Sequence, residues 1–138
     1  MKAIVIREAG GPEVLEVRDV PEPNVSRGEV RVRIRATAVN RADVLQRMGV
    51  YPAPPGAPKD IPGMEFAGEI DEIGEGVVEH APGDHVFGIA GGGTYAEKIV
   101  LPARAVAKMP RGFSFEDAAA IPEVFVTAYD AFDQARLR

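Results

Sequence analysis

Five residues of this chain have types and spacings that could take part in chemistry: Asn40, Asp43, Tyr51, Glu65 and Thr127. The first four lie in one stretch, NRADVLQRMGVYPAPPGAPKDIPGMEFAG, from Asn40 to Gly68. Asn40 and Asp43 are three apart where an alternating β pattern stops. This predicts Asn40 as the cap of a short helix, with Asp43 in its first turn and Gly49 at its end. Tyr51 follows, ahead of prolines whose rings fix φ, so its hydroxyl is presented from an ordered loop. A phenol and a carboxamide in one such loop can polarise a carbonyl by hydrogen bonding, which a hydride acceptor requires. Each residue also has a purely structural account. Asn40 caps, Asp43 complements the helix dipole, Tyr51 packs on prolines, Glu65 faces water, and Thr127 bonds back within its own helix.

The elements that must position these groups read as mainly β. Lys2 to Arg7 and Val14 to Val20 are predicted strands separated by the turn Ala9-Gly10-Gly11-Pro12. Glu29 to Val39 alternates with a period of two, turning Val30, Val32 and Ile34 inward and leaving Arg31, Arg33 and Arg35 on a solvated face. From Glu65 onward, short apolar runs recur between glycine and proline punctuation: Glu65 to Ile73, Val86 to Ile89, Tyr95 to Leu101 and Val106 to Met109. That rhythm predicts a partly open β-barrel whose exterior carries Glu69, Asp71, Glu72, Glu75 and Glu79 in solvent. Ser114 and Asp117 form a capping box for a short helix, and Pro122 opens another, with Val124, Phe125, Ala128, Phe132 and Ala135 at helical spacing.

Composition narrows the function classes. The chain has 138 residues, 46% of them hydrophobic, enough for one globular domain with a real core. Its net charge of −5 argues against a dedicated nucleic-acid or anionic-membrane binder. Cysteine is absent, so there is no disulfide, thiolate zinc site or cysteine nucleophile. A reducing cytoplasm fits that composition. The opening MKAIVIRE is too short an apolar run for a signal segment or spanning helix. Gly91-Gly92-Gly93-Thr94-Tyr95-Ala96 matches the letters of a dinucleotide fingerprint, but AEKIVLP after it reads as a strand, which makes the glycines a turn. His80 and His85 are read as structural, and neither Ser26 nor Ser114 is placed for a triad.

In order along the chain, MKAIVI, GGPEVLEV, GEV, NRADVLQRMGVYP, IPGMEFAGEI, PGDHVFG, TYAE and AAAIPEVFVTAYDA resemble the medium-chain dehydrogenase/reductase superfamily. Within it, they resemble the zinc-independent quinone oxidoreductase branch related to zeta-crystallin. The resemblance implies a GroES-like substrate-side domain over residues 1–121. Residues 122–138 would then begin the helix connecting to a Rossmann domain for NADPH that this chain does not include. It implies hydride transfer from NADPH to a quinone or a similar activated carbonyl or alkene, in an enzyme that is a homodimer at full length and inactive as this fragment. Asn40 resembles the asparagine beside nicotinamide and substrate, Tyr51 the tyrosine that hydrogen-bonds the quinone oxygen, and Thr127 a threonine near the nicotinamide. Asp43 and Glu65 fall in supporting positions behind them. No zinc is expected, because Met64 stands where the zinc enzymes have histidine and the NRAD segment where they have cysteine. From another class, a stand-alone interaction module would use Arg31, Arg33, Arg35 or an apolar flank.

Overall fold

The computed structural model describes residues 1–136. In chain order, the hairpin β1 (Lys2–Ile6) and β2 (Leu15–Asp19) comes first, joined through a 3-10 turn at Pro12–Val14. Strand β3 (Glu29–Thr37), helix α1 (Arg41–Arg47) and strand β4 (Glu65–Ile73) follow, then the shorter strands β5 (His85–Ile89), β6 (Lys98–Pro102) and β7 (Val106–Lys108). Helices α2 (Phe115–Ala119) and α3 (Pro122–Gln134) close the described chain. The last residues of the expected connecting helix, 137 and 138, lie outside the described residues.

Strands β3 to β7 form one antiparallel sheet in the order β6-β3-β4-β5-β7, curled into the expected half-barrel. The alternation in β3 is realised: Val30 and Val32 have no exposed surface and pack with Phe66, Ile70 and Val86 in the main core. Each such side chain contributes about 1.5–3 kcal/mol by leaving water. The first half of β4 is buried on both faces, because α2 lays Ala118 and Ala119 against Ala67 on the side away from that core. So close a packing needs a glycine at 68, where a Cβ would run into the carbonyl of Arg33 on the neighbouring strand. The β1–β2 hairpin is joined to the sheet by a bridge between Ala3 and Ala96, with the Ile4 N–H donating to the Tyr95 carbonyl at 2.8 Å.

Two expectations about charge are corrected. Arg31 is not on a solvated face: its guanidinium lies 2.8 Å from Asp71 and 2.9 Å from Glu72. Asp71 is likewise withdrawn from solvent and also pairs with Lys98 at 3.2 Å. The two strands put opposite charges across the sheet, which alternation within one strand cannot reveal. Burial alone would raise the Asp71 pKa, but hydrogen bonds and charge from Arg31 and Lys98 outweigh it and hold the carboxyl below its ordinary 3.8.

Helix α3 forms with the predicted spacing, yet Phe125, Val126, Tyr129 and Phe132 are more than half exposed. Pro122 at its start is buried, and from Val124 onward its large apolar side chains are mostly in solvent.

Two outcomes follow from this architecture. Asp71, with its folded pKa depressed, contributes stability that is fully present above 3.8 and lost as pH falls through the depressed value. Urea midpoints measured from neutral to acid pH should therefore fall less steeply for Asp71→Asn than for the unaltered chain. The exposed α3 face should bind a hydrophobic dye or self-associate, and Phe125→Ser with Phe132→Ser should reduce both in fluorescence and sedimentation measurements.

Candidate active site

Asn40 is extended, at φ −107° and ψ 157°, and forms the predicted capping box with Asp43, whose Oδ2 accepts the Asn40 N–H at 2.8 Å. Asp43 does more than answer the helix dipole. At 4% exposed, it also accepts the Gly63 N–H at 3.2 Å and the Tyr95 hydroxyl at 3.0 Å. One carboxylate thereby ties α1, the turn before β4 and the segment before β6 together.

Glu65, at the head of β4, is 2% exposed, so the expectation that it faces water is overturned. Its Oε1 accepts from Asn40 Nδ2 at 2.8 Å and its Oε2 from the backbone N–H of Glu123 at 2.9 Å. Among the described residues, every partner of Asp43 and Glu65 is an N–H or O–H donor rather than a lysine or arginine. Acceptor-only bonding is the pattern of ionised carboxylates.

Around this pair the polar groups are closely packed. The Thr37 hydroxyl donates to the Glu65 carbonyl at 2.6 Å and lies 2.9 Å from the buried Thr94 hydroxyl. Gly63 has φ +101°, and a Cβ there would strike the Thr94 hydroxyl and the Tyr95 ring, so both conformation and space require glycine. Burial first, then the charge of Asp43, the hydrogen bond to it and the charge of Glu65 push the Tyr95 phenol well above its ordinary range. Tyr95 therefore stays protonated as a fixed donor to Asp43.

The other two expected site residues are placed differently. Thr127 donates to the Glu123 carbonyl one turn back in α3, the back-bonding anticipated for it. Tyr51 is 45% exposed in the loop after α1, and its hydroxyl has no hydrogen-bond partner among the described residues. Asn40, Asp43 and Glu65 are thus joined directly, Thr127 is joined through the backbone of Glu123, and Tyr51 stands apart with its phenol free for a ligand.

Tyr95, Thr94, Thr37 and Gly63 had no local signal in the sequence. TYAEKIV reads as strand, and a buried phenol is indistinguishable there from a packed one.

The groups present suit one end of a nicotinamide cofactor. Asn40 offers a second amide hydrogen and Thr127 hydroxyl lone pairs, the chemistry a carboxamide-bearing ring can meet. They do not make a phosphate cradle: Gly91 to Gly93 lie between β5 and β6, packed against Pro54, Ala57 and Pro58. His85 packs on Phe115 with ring centroids 4.8 Å apart, and no group of three or more possible metal ligands occurs among the described residues.

Residues 26–111 match the family described as "Alcohol dehydrogenase GroES-like domain". The quinone oxidoreductase of Pseudomonas aeruginosa is 42% identical over 121 residues, covering 87% of this chain and 37% of that protein. Among solved structures, an NAD-dependent alcohol dehydrogenase superposes with a TM-score of 0.90 at 40% identity, over all of this chain and 48% of the other. The Escherichia coli quinone oxidoreductase complexed with NADPH superposes with a TM-score of 0.82 at 30% identity, over 99% of this chain and 41% of the other. The chain spans less than half the length of each.

Tyr95→Phe removes one of three donors to a buried carboxylate. A loss of about 1.5–3 kcal/mol is expected, as for a hydrogen bond to a charged group. Urea unfolding at neutral pH measures it, and a change near zero would show that Asp43 does not depend on the phenol.

Proposed function

Since the chain belongs to the alcohol dehydrogenase GroES-like family of the medium-chain dehydrogenase/reductase superfamily, we propose that it supplies the substrate-side domain of an NADPH-dependent quinone reductase. The supporting observation is the Asn40 amide, fixed by Glu65 in the same stretch that exposes the unpartnered Tyr51 phenol. In this proposal Asn40 and Thr127 meet the nicotinamide end of the cofactor, and a nucleotide-binding domain holds the rest. When bound, the cofactor supplies the hydride. Tyr51 donates a hydrogen bond to the oxygen on which negative charge develops, and Asn40 aligns the reacting partners. The absence of cysteine and the presence of Met64 before Glu65 support chemistry without zinc. Action as a homodimer in the cytoplasm belongs to the same proposal.

An interaction module is the second reading, favoured by the exposed apolar face of α3. Of its arginine stripe, Arg31 is committed to Asp71 and Glu72 and Arg35 lies 3.2 Å from Glu69.

The chain alone, mixed with NADPH and a benzoquinone, should show only the uncatalysed rate. Joined to the nucleotide-binding domain of the Pseudomonas aeruginosa relative, it should turn over, and Tyr51→Phe should lower kcat/KM roughly tenfold to a hundredfold. A folded chimera that binds NADPH but reduces no quinone would overturn the proposal.

A further inference from the structure

Asn40 and Thr127 lie far apart in the chain, yet both are connected to one buried side chain. Glu65 takes the Asn40 amide on one oxygen and the Glu123 N–H on the other, and the Glu123 carbonyl takes the Thr127 hydroxyl.

Helix α3 needs such a partner at its start. Its N-cap is Ile121, which has no side chain able to cap, and Pro122 has no N–H. The first donor available is the N–H of Glu123, and the helix dipole favours an anion there. Glu65 reaches it from β4. Beyond that turn, Phe125 to Phe132 are exposed, so the first turn is where α3 is anchored.

Carboxylate chemistry is specific at this position. A buried ionised carboxyl is costly to keep unless its oxygens are bonded, and here each has its own donor. A glutamine would bring one acceptor oxygen and a donor NH2, so with the Asn40 NH2 aimed as it is here, one of its two ends would face a donor it cannot accept from, and the pairing would need the Asn40 amide to turn over. An aspartate is one methylene shorter and would not span the two.

We propose that Glu65 is a positioning residue: it orients the Asn40 amide and caps α3, so that Asn40 and the helix bearing Thr127 move as one unit. The proposal rests on the functional reading only for what those two residues face. The titratable groups around Glu65 are Asp43 on α1, the Tyr95 phenol before β6 and Glu123 itself in the first turn of α3. Coupling through a shared carboxylate is reciprocal, so loosening either donor is felt at the other.

Nuclear magnetic resonance on the isotopically labelled 138-residue chain tests this without turnover. Glu65→Gln should speed hydrogen exchange at the Glu123 amide roughly tenfold to a hundredfold, the scale of one hydrogen bond to a charged group. The core amides of Val30 and Val86 should keep their protection. Asn40→Ala, which does not touch α3, should also change exchange at Glu123. An unchanged Glu123 amide in either variant would overturn the proposal. If Glu65→Gln unfolds the chain, Asn40→Ala decides. A chimera that fails to reduce quinone would leave these results intact, and failure here would leave the quinone proposal standing.

Discussion

Two carboxylates inside a small β-domain set the terms for everything near the candidate site. Asp43 and Glu65 lie almost entirely out of water, and their partners are amide and hydroxyl donors rather than cations. An ionised group in that position persists only if fixed donors surround it. Gly63 must turn its N–H inward, Tyr95 must keep its proton, and Asn40 must sit where its backbone and side chain reach different carboxylates. A displacement of any of these exposes an unpaired charge to an apolar interior, so the arrangement is held as a whole.

The sheet makes the arrangement possible. Strand β4 carries Glu65 at its head and is covered on one side by the valine and phenylalanine core and on the other by the alanines of α2. With both faces closed, Glu65 cannot swing into solvent, and its oxygens are directed to the cap of α1 and the start of α3. The apolar core thus supplies stability and removes the alternative conformations that would release Asn40.

Seen from the proposed chemistry, the domain presents a rigid amide and a free phenol and leaves the remaining contacts to other parts of the enzyme. Rigidity belongs where alignment matters, at Asn40. Tyr51 lies in a proline-rich loop, half-exposed and with no hydrogen-bond partner among the described residues. The exposed side chains of α3 are unusual for a soluble surface and mark a face suited to being covered.

The sequence by itself determined the elements. The period of two in β3, the capping boxes at Asn40 and Ser114, the proline opening α3 and the glycine turn at Gly91 to Gly93 are local devices, and each was legible because its physics acts within a few residues. So was the family resemblance, carried by ordered motifs along the whole chain. Only the tertiary structure decided which polar residues are buried together. Glu65 reads as a solvent-facing residue until β4 is covered on both sides, Arg31 reads as surface until Asp71 arrives across the sheet, and Tyr95 reads as strand until Asp43 accepts its hydrogen bond. These pairings join residues 40, 52 and 58 positions apart, and their energy depends on burial and distance in space, quantities no local pattern of residue types contains.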